Sequence, residues 1–484
     1  MMIYLLSPPS TPRFIRSARW EAADRGGTTY YPLWLSYTTG VLEERYKEVR
    51  LVDAQVWGWS VDDVVNDVKK FNPDLVVVDC AFSSLMSDIK VAETIKKNIK
   101  KDVKTVLVGP PTSQFSEKIL NNDVDIVARF EYDFTIRDIA EAVEEGKSLE
   151  NIKGISYKED GKIIHNPDRG FTNSEELDAI PFVSKVYKNH LNMKDYFLAH
   201  TLYPMVQIFT GRGCPNQCTF CSWPKTLMGR KYRVRSVENV VDEFEYIAEE
   251  IPEVKEIFIE DDTFTIDRKR VKEICEEIIK RKLDVTWSCN ARADLDYETM
   301  KVMKEAGCRL LDVGYESGND NILKNIKKGI TLDKARDFTK NAKKAGLMIL
   351  ADFVIGLPGE TKETVEKTIK FVKELKPELM QFSVATPIPG TEFYDWVKEN
   401  NFLIVDDLEE SLNDEGIQKA IISYPELTNE EIEKYMQKGV KDYYLSSSYI
   451  PIALKSILRK NGLSELRRMM ISVKMFFNYL RKGR

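Results

Sequence analysis

No apolar run in this 484-residue chain approaches the ~18–20 residues that a helix needs to cross a bilayer. The longest are short pieces such as Leu75–Val78. Positive charge is not in excess either. The 71 Lys and Arg face 77 Asp and Glu, a net charge of −6, which argues against a protein held to nucleic acid by bulk charge. The opening residues, MMIYLLSPPS, carry no basic leader and reach two prolines too soon for a secretory signal, so a cytoplasmic location is the default expectation. Seven cysteines are too few to form a disulfide scaffold. Histidine is scarcer still, with three in the chain (His165, His190 and His200) and none before residue 150. What remains is 43% hydrophobic and 31% charged, the balance of a globular protein of about three domain-sized units.

Residues 1–145 alternate apolar strands, such as Asp74-Leu-Val-Val-Val-Asp79, with amphipathic helices, such as Val61–Phe71. Continuous apolar strands between helices predict a parallel sheet covered on both faces, a doubly wound domain with ligands at the carboxyl ends of its strands. Residues 146–200 change character. A hairpin is expected around Asp160-Gly161, followed by a polar connector with little core of its own. From 201 to 400 six strand–helix units follow, with strands near Met205–Thr210, Glu256–Ile259, Val285–Cys289, Leu310–Val313, Leu350–Ile355 and Leu379–Val384. They suit a partial (β/α)6 barrel, whose chemistry belongs just after its strands. The residues there are polar: Asp261, Asp262, Asn290, Arg292, Glu316 and Ser317, with Gly356 and Pro358 after the fifth strand. Residues 401–484 read as helical. The stretch Ile450–Arg484 carries nine Lys or Arg against one acid, Glu465, with apolar residues between them. Such a helix can lie on an anionic membrane surface, or it can be a packed helix with a solvated basic face.

Three of the seven cysteines fall within eight residues, in Thr210-Gly-Arg-Gly-Cys214-Pro-Asn-Gln-Cys218-Thr-Phe-Cys221. Thiolates at spacings of four and three wrap a loop around one centre and select zinc, copper(I) or iron–sulfur. Structural zinc wants a fourth ligand nearby, and the closest histidine is His200, fourteen residues upstream. A four-iron cube held by three cysteines keeps one iron open. Cys80, Cys275, Cys289 and Cys308 lie on different elements and read as core.

This spacing, with Phe220 directly before the last cysteine, resembles the radical S-adenosylmethionine (SAM) superfamily. The resemblance implies a [4Fe–4S] cluster on Cys214, Cys218 and Cys221, with SAM on the open iron and one-electron reduction cleaving SAM to a 5′-deoxyadenosyl radical. The segments Ile259-Glu-Asp-Asp262, Cys289-Asn-Ala-Arg292, Gly314-Tyr-Glu-Ser317 and Phe353–Thr361 are similar to that family's strand-end motifs. By that likeness Phe220, Asp261, Asn290, Arg292, Glu316, Ser317, Gly356 and Pro358 form the SAM region, with Glu316 and Ser317 near the ribose and amino group and Gly356 to Pro358 beside the adenine.

The order of units, doubly wound domain, barrel and helical tail, resembles the cobalamin-binding branch of that superfamily. Ser83, Leu85 and Gly109 match positions that cradle the cobalamin tail. The Asp-x-His-x-x-Gly loop of cobalamin mutases is absent, so cobalamin has no lower histidine ligand from this domain. The likeness is to enzymes of hopanoid and other isoprenoid-lipid biosynthesis. It implies functionalisation of an unactivated carbon, with methylation of an isoprenoid or other membrane-lipid substrate as the first expectation. An electron donor such as flavodoxin or ferredoxin follows from the chemistry. Ring formation or rearrangement without methyl transfer is the alternative within the branch. A non-enzymatic cobalamin or redox sensor is the alternative from another class. Nucleic acid is not an expected partner, and peripheral membrane contact would come through the basic tail.

Overall fold

The computed structural model describes residues 1–10, 14–16, 21–23, 26–99, 102–458 and 462–482, with side chains described as far as residue 474. The first domain is a parallel sheet of β1 (Met2–Ser7), β2 (Glu48–Asp53), β3 (Leu75–Asp79), β4 (Lys104–Val108) and β5 (Ile126–Ala128). β3 has all five of its residues buried, as a strand covered on both faces by helices must. Its helices start and stop on local signals. Val61–Phe71 opens on a reciprocal Ser60–Asp63 capping box and closes on Asn72 in the left-handed conformation.

The expected hairpin is present as β6 (Ile155–Glu159) and β7 (Lys162–His165), and it extends the first sheet. β6 pairs antiparallel with β5, giving seven strands in the order β2-β1-β3-β4-β5-β6-β7. The segment that follows differs from the expected polar connector. Leu177, Val183, Tyr187 and Tyr196 are buried in the main apolar core. The sequence hid this because its apolar residues are spaced between charges and bury against both neighbouring domains rather than one another. Tyr31 shows the packing, stacked at 4.1 Å on Tyr187 and 4.0 Å on Tyr196.

The second domain holds β8 (Met205–Ile208), a short antiparallel pair of β9 (Gly211–Arg212) with β10 (Arg233–Val234), and then β11 (Glu256–Ile259), β12 (Trp287–Ala291), β13 (Cys308–Glu316), β14 (Met348–Ile355) and β15 (Leu379–Val384). β8 and β11–β15 form one parallel sheet in the order β15-β14-β13-β12-β11-β8, the curled partial barrel expected from the six units. The helices after these strands begin on Ser236, Asp267, Asp296, Thr331, Thr361 and Thr391, each accepting a backbone N–H from the first turn.

The two domains meet through charge as well as apolar packing. Arg212 donates to Asp133 at 2.6 Å and Arg233 makes a two-pronged pair with Glu131 at 2.8 Å. All four side chains are buried. The Arg212 guanidinium lies 4.6 Å from the Trp34 ring centre, and Trp34 packs against Phe209 and Trp223.

The last region is only partly helical, a departure from the sequence expectation. Between Leu403 and Leu427 the chain is a strap with bridges Leu403–Ile422, Leu412–Gln418 and Tyr424–Leu427. Its Leu408 and Ile421 pack with Phe82 of the first domain. Helices then follow at Asn429–Tyr444, Ile450–Ile457 and Gly462–Lys482. Among the described residues no helix is long and apolar enough to cross a membrane. The basic tail is also not uniformly solvated. Glu465 and Arg468 are buried, with Glu465 accepting from Arg309 at 2.5 Å and from Arg468 at 2.9 Å.

Candidate functional site

The cysteine loop begins where β8 ends, and two acids after β11 hold its start. The Thr210 N–H and hydroxyl donate to the Asp261 carboxylate at 2.6 and 2.7 Å, and the Gly213 N–H donates to Asp262 at 3.1 Å. Gly213 sits at φ +92°, where a Cβ would lie 2.2 Å from the Lys231 carbonyl oxygen. Only glycine fits so close an approach. The Cys214 N–H donates to the Gly229 carbonyl, and Asn216 donates to the Cys214 sulfur at 3.2 Å. Cys218 is buried, while Cys214 and Cys221 are half-buried.

All three thiols line one cavity of about 270 Å³. The barrel contributes Phe220, Asn290, Arg292 and Glu316 of the expected SAM region, with Asp262, Asp312, Lys328 and Asp352. The first domain contributes Thr28, Tyr30, Phe82, Ser83 and Pro110 to the same lining. The Lys328 ammonium donates to Glu316 at 2.6 Å, and both are buried. Burial pushes the Lys328 ammonium toward losing its proton, but the Glu316 carboxylate outweighs it and raises the group overall. Ser83 is tied on the first-domain side, its N–H and hydroxyl both donating to Glu21 at 3.0 and 3.2 Å.

The remaining expected site residues stand behind the wall. Asp261 is fully buried and serves the Thr210 turn, and its carbonyl accepts from Asn290 at 3.1 Å. Ser317 is buried against the Thr368 hydroxyl at 3.3 Å. Gly356, at φ +98°, donates to Glu360 at 2.7 Å and accepts from the Tyr424 hydroxyl at 2.6 Å. Pro358 offers its carbonyl to Asn325 at 3.0 Å. Leu85 is buried in the first domain's own core. Gly109, at φ +113°, would place a Cβ 2.3 Å from the Cys80 carbonyl oxygen. Its smallness is demanded by the neighbouring strand end, and Pro110 reaches the cavity in its place.

Lys328, Asp312 and Asp352 went unread in the sequence. Asp312, Gly314 and Glu316 alternate along β13, and Asp352 stands in β14 between apolar residues. A period of two therefore marked the inner face. Lys328 lies in a loop and carries no such signal. His200 does line the cavity. Burial, helped by the charges of Arg309 and Arg468, lowers its pKa to about 3, so the ring is neutral. Cys275, Cys289 and Cys308, expected as scattered core residues, are buried and mutually close, with a Cys289–Cys308 thiol contact. Burial drives the Cys275 and Cys289 thiols well above their usual range, which keeps them protonated and inert.

Profile comparison matches residues 208–372 to the Radical SAM superfamily and residues 22–140 to the B12 binding domain. An uncharacterised methyltransferase of Pyrococcus horikoshii is 34% identical over 465 residues, covering 96% of this chain and 96% of its own length. The chain belongs to the radical SAM superfamily, in its cobalamin-binding branch. Other relatives are an anaerobic magnesium-protoporphyrin IX monomethyl ester cyclase of Rubrivivax gelatinosus, 27% identical over 86% of this chain and 79% of its own, and the hopanoid C-3 methylase of Methylococcus capsulatus, 27% identical over 78% of this chain and 70% of its own. Among solved structures, the radical SAM methyltransferase TsrM of Kitasatospora setae, with cobalamin and a [4Fe–4S] cluster bound, superposes with TM-score 0.72. That match has 15% identity and covers 99% of this chain and all of that one.

The family's cofactors are a [4Fe–4S] cluster, SAM and cobalamin, and the residues present fit them. Three thiols share one wall with no fourth cysteine in their loop, the donor set for a cube with an open iron. Among the described residues no three of His, Cys, Asp or Glu are gathered around a single-ion site. Acids at Glu260, Asp262, Asp312, Glu316 and Asp352 outnumber Arg292 and Lys328, which suits the sulfonium and ammonium charges of SAM. The lining from the first domain, Thr28, Tyr30, Phe82, Ser83 and Pro110, is uncharged apart from Glu21.

Proposed function

We propose that this protein is a cobalamin-dependent radical SAM C-methyltransferase acting on an amphipathic substrate of the isoprenoid-lipid class. One observation carries the reading. The three cysteines and the strand ends of the B12 binding domain, at Phe82, Ser83 and Pro110, line a single cavity. When bound, the cofactors supply a one-electron route to SAM cleavage and a carrier for the methyl group. The chain's own work is to hold and exclude. Phe220, Asn290, Arg292 and Glu316 flank SAM, Lys328 holds Glu316 in orientation through its hydrogen bond, and Asp261 and Asp262 fix the cysteine loop. Ser83 and Pro110 serve the cobalamin side, while Ser317, Gly356 and Pro358 act from behind as positioning residues. A flavodoxin or ferredoxin supplies the electron. The protein acts in the cytoplasm, in contact with the membrane surface through its last two helices.

A second reading, ring formation without methyl transfer, is favoured by the likeness to the cyclase of Rubrivivax gelatinosus. The two differ in product. Reduced, reconstituted enzyme with SAM, cobalamin and a total lipid extract should give 5′-deoxyadenosine and S-adenosylhomocysteine in near-equal amounts, both lost in Cys218→Ala. Deoxyadenosine without S-adenosylhomocysteine would select ring formation. Neither product, with cluster reduced and SAM bound, would overturn both readings.

A further inference from the structure

A second cavity, also of about 270 Å³, opens off the first. The two share Thr28, His200, Leu350 and Gln381 as lining, so they are neighbouring chambers with a common wall. Their chemistry differs. Where the first holds acids and thiols, the second is lined by Leu379, Met380, Phe382, Val440, Tyr444 and Met469, among others, with Arg468 as the one charged side chain among the described residues. It lies at the edge of the barrel, where β15 is the outermost strand among the described residues and the helices Asn429–Tyr444 and Gly462–Lys482 cover the seam.

Two further observations point to a ligand. His200 stands at the junction, about nine-tenths buried, its ring edge-on to Phe258 at 4.8 Å. Its Nε2 has no hydrogen-bond partner among the described residues, and a buried unpaired polar atom costs about 1–3 kcal/mol unless something satisfies it. The second observation is at the outer end. Leu445 and Val473 line the chamber while being 64% and 49% exposed. Of the twelve large apolar side chains exposed among the described residues, eight lie between 445 and 473. A patch of this kind marks an interaction surface, here one that continues inward as the chamber wall.

We propose that this apolar chamber is the binding site for the hydrocarbon chain of an amphipathic substrate, entered from the exposed apolar face of the helices Ile450–Ile457 and Gly462–Lys482. The chain runs inward past the seam, the first polar group of the substrate pairs with Nε2 of His200, and the reacting carbon stands in the acid-lined cavity beyond. This rests on the amphipathic substrate class proposed above, and it adds where the apolar part sits and how it enters. Each chamber is near the lower end of the ~300–1,000 Å³ range of small-molecule sites. A molecule occupying both must therefore be elongated, with a polar and an apolar end. The inner face of the covering helix is held in place by Arg468, which donates to the Ala199 carbonyl at 2.5 Å and to Glu465.

The test is binding of cis-parinaric acid, a fatty acid whose emission rises in apolar surroundings, to the full-length protein. Saturable binding at one site per chain is expected. Ser472→Trp and Val440→Trp, which fill the chamber from two different helices, should each weaken it at least tenfold, whereas Ile279→Trp, an exposed site on the barrel helix Arg268–Lys280 outside the chamber, should leave it unchanged. Equal affinity in wild type and both tryptophan variants, or no saturable binding in wild type, would overturn the assignment. The reaction itself is judged separately. Loss of parinarate binding in the variants with no S-adenosylhomocysteine formed by any protein would leave the chamber assigned and the methyltransferase reading refuted.

Discussion

Replacing Asp133 by Asn tests whether the buried charges between the domains hold the cysteine loop in place. Asp133 and Arg212 are buried almost completely, at 1% exposure each, and their atoms meet at 2.6 Å. Removing one partner of such a pair costs about 3–5 kcal/mol, because the other charge stays buried. Here Glu131, 3.9 Å from the same guanidinium, and the Trp34 face keep part of the compensation, which places the loss at the lower end, ~3 kcal/mol. At 1.4 kcal/mol per tenfold, this is about a hundredfold in the docking equilibrium. Trp34 and Trp223 sit at the junction, so their emission reports it directly. In urea, the tryptophan transition of the variant should move well below wild type and separate from the circular dichroism transition, as domains lose coupling. An exposed ion pair serves as reference: Glu363→Gln, opposite Lys367 on one helix, should change stability by less than about 0.5 kcal/mol. A shift in Asp133→Asn no larger than this reference would refute the reasoning.

Three further outcomes follow from the site. Burial raises the Glu360 carboxyl to about 8. Because its folded pKa lies above the ordinary carboxylate value, the stability it contributes is complete below pH ~4.3 and is lost as pH rises toward 8. Glu360→Gln should therefore flatten the fall in thermal midpoint between pH 5 and 8, measured by calorimetry. Glu316→Gln leaves Lys328 without its carboxylate and should weaken SAM binding by about 10–100-fold, the worth of one charged hydrogen bond, as read by equilibrium dialysis. Gly109→Ala forces a Cβ against the Cys80 carbonyl at a positive φ. It should abolish cobalamin retention on gel filtration while leaving the iron content of the barrel unchanged.

Much of this protein was legible in its residues taken in order. The cysteine triad, the alternation of apolar strands with capped helices and the tandem of two α/β domains are all local patterns, written at periods of two, 3.6 and a few residues. They determined the sheet types, the barrel and the family. What lay outside the sequence depends on pairs joined by no local spacing. No pattern joins Asp133 to Arg212, Glu316 to Lys328 or His200 to Val473. The same holds for glycine 109, whose smallness serves a strand neighbour, and for residues 403–427, whose bridges depend on what the strap covers. Local spacing determined which elements form and which metal the loop could take. Only tertiary packing decided which side chains face the reaction cavity and which support it, and what chamber lies beyond, because burial and charge pairing are set by residues brought together from different elements of the fold.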